Sequence, residues 1–288
     1  MSAAAALRLG TRGSPLALRQ AELVAEAMGG EVETVVLRTA GDAGEGSDKG
    51  RWVDTIEAAL LAGEIDLAVH SAKDLPAELA EGLEIAAAPS REDPRDALCG
   101  AAASVSELAA GARVGTSSLR RRSQLLALRD DLDVLDLHGN LDTRLGRLAA
   151  GDFDAIVLAV AGLRRLGRDG WSASDELVPA AGQGTLAIEA RVGDERVATA
   201  LAPLRDGDAE RALACERTLV SVLGAGCDTP VGAHAQIAAD GVLELRCFIG
   251  SPDGGEWIRD VVRGDDPHAV GEEAAQRLLA CGAGALLG

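Results

Sequence analysis

Ile65-Asp66-Leu67-Ala68-Val69 runs straight into His70-Ser71-Ala72-Lys73-Asp74-Leu75-Pro76, and the reading of that junction decides the fold. Apolar residues bounded by Glu64 and by the His-Ser pair predict a buried strand, and no apolar run follows to carry the strand further. The polar side chains are therefore expected at a strand end. In α/β proteins ligands bind at the carboxyl ends of strands, where loops and helix N-termini converge. Ser71, Lys73 and Asp74 would bring a donor, a fixed cation and a proton carrier to that edge. The alternative is a plain turn whose aspartate caps the next helix, and the rest of the chain has to decide between them.

Upstream, Leu7 to Gly10 reads as a strand, and a helical pattern runs from Pro15 to about Met28. Ser14 before Pro15 is a strong helix start, because serine caps the free amides and proline has none to cap. Such a free helix N-terminus beside Arg12 is a potential anion site. Val32 to Arg38 is the next strand, and Trp52 to Leu61 a helix. Between them, Gly41 to Gly50 carries four glycines and Lys49. It departs from the phosphate-loop pattern, since Asp48 precedes the lysine and Gly50 follows it, and it is expected to be a mobile lid.

Downstream, Arg91-Glu92-Asp93-Pro94-Arg95-Asp96 is polar and turn-rich, as a crossover between domains would be. After it the beginning repeats. Val114-Gly115-Thr116-Ser117-Ser118 echoes Leu9-Gly10-Thr11-Arg12-Gly13-Ser14, and Asp154 to Val160 echoes Asp66 to Val69. Two related α/β halves follow, each with a ligand-facing strand end. Arg113, Arg120, Arg121, Arg122 and Arg129 fall between Gly111 and Arg129 with no acid among them. Neighbours on a helix point about 100° apart, so one or two of the adjacent three are expected to face the ligand. His138 and Arg144 follow the Val134 to Leu137 strand, and Arg164-Arg165 the Ile156 to Val160 strand. Forked guanidinium hydrogen bonds to several carboxylates would explain these positions; a solvated basic face is the alternative.

The 288 residues suffice for two or more domains. A formal charge of -18, with no tyrosine and five residues of phenylalanine or tryptophan, argues against nucleic acid, which needs a basic footprint and stacking surfaces. No apolar run nears the ~18 residues a membrane span needs, and the N-terminus lacks a basic segment ahead of its short apolar piece. A cytoplasmic protein is expected. Only Lys49 and Lys73 among the 28 basic residues are lysines, so a compact ammonium stands at two places alone.

The five cysteines lie far apart with no metal-ligand spacing, which indicates neither a disulfide framework nor a metal site. Cys99, Cys215, Cys247 and Cys281 read as small core residues. Cys227 stands in a glycine loop, where its sulfur is accessible. It is expected to be either a nucleophile, which needs a base such as His234, or the anchor of a covalent group. Beyond it, Asp240-Gly241 and Asp253-Gly254 mark hairpins, and Pro267 to Cys281 a closing helix.

Taken together, the chain resembles the porphobilinogen deaminases, or hydroxymethylbilane synthases, over essentially its full length. The matching stretches are Thr11 to Leu18, Val69 to Pro76, Arg91 to Ala97, Val114 to Arg121, Gly139-Asn140 with Thr143-Arg144, Gly182-Gln183-Gly184, and Gly226-Cys227-Asp228-Thr229-Pro230-Val231-Gly232. The resemblance implies an α/β fold: two periplasmic-binding-protein-like (type II) domains plus a smaller C-terminal α+β domain with an antiparallel three-stranded sheet. The expected bounds are 1–92 with 186–206, 93–185, and 207–288. It further implies a cytoplasmic monomer that joins four porphobilinogen molecules on a dipyrromethane cofactor, held by a thioether to Cys227.

Asp74 matches the catalytic aspartate. Ser71, Lys73, Thr116, Ser118, Arg120, Arg121 and Arg144 match positions holding the cofactor's acetate and propionate groups, and Arg12, Ser14 and Arg165 match positions addressing the substrate or growing chain. His138 and Gln183 are assigned to the substrate as well. His138 stands where the family usually has arginine, and Trp52 where phenylalanine is common, after a lid that looks shortened. The rival reading is a non-catalytic carboxylate-binding protein on the same scaffold.

Overall fold

Strand β1 (Leu7–Arg12) leads into helix α1 (Pro15–Met28), which begins and ends where the sequence says it should. Ser14 is extended and its hydroxyl accepts from the Ala17 amide, while Gly29 closes the helix at φ 65°, a conformation that suits glycine. The chain continues through β2 (Val32–Leu37), α2 (Gly50–Leu61), β3 (Leu67–Ser71) and β4 (Leu83–Ala87). It then forms β5 (Asp96–Gly100), β6 (Arg113–Gly115), α3 (Leu119–Leu128), β7 (Asp133–Leu135), α4 (Leu141–Ala149), β8 (Ala155–Ala159), α5 (Val160–Arg165) and β9 (Trp171–Ser174). Strand β10 (Leu186–Arg191) and helix α6 (Glu195–Leu201) follow. After these come α7 (Gly207–Val222), β11 (Val231–Ile237), β12 (Leu243–Gly250), β13 (Trp257–Gly264) and α8 (Pro267–Ala280).

This computed structural model describes residues 6–37, 50–226 and 228–287. The expected lid with Lys49, and Cys227, lie outside the described residues. Two units divide the chain: Met1–Arg91 with Thr185–Glu210, and Glu92–Gly184 with Arg211–Gly288.

The first unit has a five-stranded sheet in the order β2-β1-β3-β10-β4, and the second has one in the order β7-β6-β8-β5-β9. The two orders are equivalent. In each, the fourth position is taken by an antiparallel strand that directly follows a crossover, β10 after Gly184 and β5 after Arg91. The repeat extends to single bonds. The Arg8 amide donates to Asp66 at 2.9 Å and its guanidinium to the same carboxylate at 2.9 Å. Arg113 repeats this on Asp154, at 2.8 and 2.9 Å. The short sequence echo therefore marks a true structural repeat.

Strand alternation places the cores. In the first unit Leu67, Val69 and Ile188 pack with Leu9, Ala21 and Val24 toward α1, while Ala68 packs with Ile56, Leu60 and Ile65 toward α2. In the second, Leu98, Val114, Leu125 and Val157 fill one face, and Cys99, Ile156, Leu158 and Leu163 the other. Each of the leucines, isoleucines and valines among them contributes about 1.5–3 kcal/mol when fully buried. The last sheet, β11-β12-β13, is antiparallel, and Leu243, Leu245, Cys247 and Ile249 of β12 pack with Cys215 and Leu219 of α7 and Leu278 of α8. The α/β class and the three-stranded C-terminal sheet are as expected.

Two local expectations are corrected. The decisive strand starts at Leu67 and runs through Ser71, because the ladder to β10 pairs Ser71 with Leu186 and carries the polar residues into the sheet. Cys281, expected in the core, is exposed at the end of α8. Among the described residues no helix is long and apolar enough to cross a membrane.

Candidate functional site

In the first unit β1 and β3 are parallel neighbours, with Leu9 beside Leu67 and Gly10 beside Ala68. Their carboxyl ends therefore share one edge of the sheet, and Arg12, Ser14 and the Ser71 to Asp74 segment lie along it. Helix α1 joins these parts: Gln20 is buried on its inner face, and its amide nitrogen donates to the Ser71 hydroxyl at 2.8 Å. The Ala72 amide donates to the Thr185 carbonyl at 3.0 Å, and Ala72 to Asp74 form a single tight helical turn. Leu75 is buried immediately after it, so the turn is pinned at both ends. Lys73 and Asp74 are half-buried on the pinned turn, which limits their conformations while leaving them accessible.

In the second unit β6 and β8 are likewise parallel neighbours. Thr116, 2% exposed, accepts from the Ser118 amide at 3.2 Å, and Ser118 caps α3. Three successive arginines all reach groups of the sheet or the segments beside it. Their length allows it. Arg120 donates to Asp96 and to the Val178 carbonyl, both at 2.7 Å. Arg121 donates to Asp96 at 2.8 Å and to the Val157 carbonyl at 2.9 Å, and Arg122 reaches the Val134 carbonyl at 2.7 Å. Gln183 is fully buried, and its amide donates to Asp96 at 2.9 Å and to the Pro94 carbonyl at 2.7 Å.

Burial would raise the Asp96 carboxyl, but the two guanidiniums outweigh it and hold it well below the usual carboxylate range. Two cations and one anion leave the buried cluster with one net positive charge. Further along the same unit, Asn140 caps α4, and Arg144 of its first turn donates to the Gly139 carbonyl at 2.8 Å beside exposed His138.

Arg165 stands apart. Its guanidinium donates to the Gly184 carbonyl at 2.7 Å. Among the described residues no carboxylate pairs with it, whereas its neighbour Arg164 is matched by Glu92 at 2.8 Å and Asp93 at 3.3 Å. Burial pulls the Arg165 group down to about 10, opposed by more distant Glu92. It remains a cation at neutral pH, half-buried and, among the described residues, without a carboxylate partner.

Three buried cysteines are chemically quiet. Burial pushes the Cys99 thiol up to about 11, and those of Cys215 and Cys247 up to about 12. His234, the base a cysteine hydrolase would need, is buried on β11 with Nδ1 3.7 Å from Glu216. Glu216 in turn accepts from the Gly182 and Ala235 amides at 2.6 and 2.7 Å.

A dipyrromethane group presents acetate and propionate carboxylates around apolar rings. In the first unit the hydroxyl of Ser71 and the ammonium of Lys73, and in the second the hydroxyl of Ser118 and the guanidinium of Arg165, are donors of the kind such carboxylates need. Each unit's donors fit the group's chemistry.

Sequence reasoning did not assign Asp96, Gln20 or Glu92. Asp96 is a lone acid heading the apolar run Ala97-Leu98-Cys99, and Gln20 a lone amide on the apolar face of α1; both were visible as polar residues at buried positions.

Comparison with known proteins agrees with these features. The family model described as porphobilinogen deaminase, dipyromethane cofactor binding domain, matches residues 7–199. That for the porphobilinogen deaminase C-terminal domain matches residues 210–280. The porphobilinogen deaminase of Roseiflexus sp. (strain RS-1) is 48% identical over 299 residues, covering 98% of each chain. That of Syntrophobacter fumaroxidans is 45% identical over 299 residues, covering 98% of this chain and 96% of its own. Among solved structures, the second substrate binding domain of a putative amino acid ABC transporter from Streptococcus pneumoniae aligns at a TM-score of 0.44 and 12% identity. That alignment covers 69% of this chain and 92% of the other.

Proposed function

This chain belongs to the porphobilinogen deaminase family, and from that membership we infer that it joins four porphobilinogen molecules head to tail, releasing ammonia, and frees the linear tetrapyrrole hydroxymethylbilane by hydrolysis. Dipyrromethane, bound through a thioether to Cys227, supplies the end onto which the units are added. The single observation that carries the reading is Arg165, a desolvated cation with no described counter-ion in a chain of charge -18. Each porphobilinogen brings two carboxylates, and an acidic protein attracts them only through cations concentrated in one place.

Asp74 is assigned the proton transfers and the stabilisation of positive charge that develops as ammonia leaves, an electrostatic role worth roughly 3–4 kcal/mol in comparable preorganised sites. Ser71, Lys73, Thr116, Ser118, Arg120, Arg121 and Arg144 hold cofactor carboxylates in this reading. Arg12, Ser14, Arg165, His138 and Gln183 serve the substrate. For Arg120, Arg121 and Gln183 the assignment has to accommodate the Asp96 contacts, which orient both guanidiniums and leave the cluster its net charge. Three working domains, 1–92 with 186–206, 93–185 and 207–288, are supported by three separate sheets, each with its own core. A cytoplasmic monomer fits the strongly acidic composition, since self-repulsion favours soluble, dispersed chains.

Intact-mass measurement of the purified protein tests the reading. A mass increment equal to a dipyrrole, absent in Cys227→Ser, is expected. An unmodified wild-type protein that also releases no ammonia from porphobilinogen would refute it and favour the non-catalytic carboxylate binder.

A further inference from the structure

The first unit buries a group of titratable side chains that none of the roles above uses. His70 is 7% exposed and Glu189 fully buried, in the middle of an otherwise apolar layer. On the antiparallel pair β3 and β10, His70 stands opposite Ala187, so Glu189, two residues further, points to the same face of the sheet. His70 Nε2 lies 3.0 Å from Glu189 Oε2, a close polar contact without the alignment of a hydrogen bond. That face is covered by α2, whose Ile56 and Leu60 pack on Ala68. The same helix contributes Glu57, 8% exposed, which accepts from the Ala80 amide at 3.3 Å. Burial pushes the Glu57 carboxyl up, Glu189 and Asp54 push it further, and His70 opposes them.

The group thus grips both ends of one segment: His70 directly precedes Ser71, and Ala80 is held by Glu57. Between them lies the turn bearing Lys73 and Asp74. Stability alone is a poor reason for such a group, because burying polar groups carries a desolvation cost that apolar residues of similar volume avoid. What paired polar groups add is a defined geometry.

We propose that His70, Glu189 and Glu57 are positioning residues that fix the Ser71 to Asp74 turn so that Asp74 meets the substrate atom from which ammonia departs. The proposal rests on the deaminase reading above. Misplacing a reacting group by about 1 Å costs on the order of a hundredfold in rate.

The test compares wild type with His70→Gln, Glu189→Gln and Glu57→Gln by ammonia release from porphobilinogen, recording kcat, KM, the pH profile of kcat, and thermal melting. Expected for His70→Gln and Glu189→Gln is a loss of roughly ten- to a hundredfold in kcat. KM should stay within about twofold, as for loss of an interaction made only in the transition state, and the pH profile of kcat should be displaced. Glu57→Gln keeps the acceptor for Ala80 and most of the volume, so it reports on the group if the other variants do not fold; a displaced pH profile is expected there too. A KM that rises as much as kcat falls, or variants altered only in melting temperature, would overturn the proposal. An inactive wild type would instead defeat the deaminase reading, so the two failures are distinguishable.

Discussion

Arg120 and Asp96 meet at 2.7 Å with water excluded from both, and Arg121 binds the same carboxylate from the next position on the helix. The carboxylate is therefore a fixed internal anion that orients two guanidiniums. Asp96→Asn leaves two buried cations facing a neutral amide. It is expected to cost roughly 3–5 kcal/mol, as breaking buried pairs does. Because the folded carboxyl lies below its unfolded value of about 3.9, the pair's contribution is fully present above that pH and lost as pH falls toward the folded value. Denaturant titrations across pH should show a constant gap between wild type and Asp96→Asn from about pH 5 to 8, narrowing below about pH 4.

Asp74→Asn changes one oxygen to nitrogen on a turn that backbone bonds of Ala72 and buried Leu75 help to hold. Circular dichroism and melting temperature should stay near those of wild type. Ammonia release should fall by at least about a hundredfold, as when one preorganised electrostatic group is removed. Near-normal turnover would take Asp74 out of the mechanism.

Arg165→Gln separates binding from stability. Burial makes the folded guanidinium a weaker base, at about 10, than in the unfolded chain, so carrying its charge at neutral pH works against folding. Removal should leave the melting temperature unchanged or raise it. KM for porphobilinogen should rise about ten- to a hundredfold, the worth of a charged hydrogen bond. In the wild type that contribution is present below about pH 10 and lost as pH rises through it, and the variant should show no such loss.

Gly184→Ala tests the crossover. Gly184 sits at φ 89°, and a Cβ there would collide with the Glu92 carbonyl and crowd Pro94, both main chain. Its own carbonyl receives Arg165 and the Glu92 amide. Strain of about 1–3 kcal/mol from the backbone conformation, plus the clash, should lower the melting temperature. The loop movement should also raise KM through Arg165, and steady-state kinetics would register both effects.

Local physics made much of this protein legible. Ser14-Pro15 announces a helix start because capping depends on residues three positions apart, and its cap on the Ala17 amide forms as expected; Ser118 and Asn140 cap their helices in the same way. The Gly-Thr echo and the paired Asp66 and Asp154 revealed the repeat, since equivalent strands need equivalent chemistry at their ends. The candidate edge was likewise readable, because strand ends follow from where apolar runs stop.

Partnership across the fold was not readable. Gln183 finds Asp96 across 87 residues and Arg121 finds it across 25, contacts that exist only because β5 enters the sheet between β8 and β9. Whether an arginine meets an internal acid, as Arg120 does, or a main-chain carbonyl with no carboxylate partner among the described residues, as Arg165 does, depends on sheet order and on which side chains exclude water. Alternation along a strand tells which face His70 takes; only the antiparallel register of β10 sets Glu189 against it. The sequence by itself thus determined the elements, their caps, the repeat and the polar edge. The tertiary structure decided which charges are already neutralised inside the protein, because electrostatic pairing is a matter of distance and desolvation, and neither is a property of a short stretch of chain.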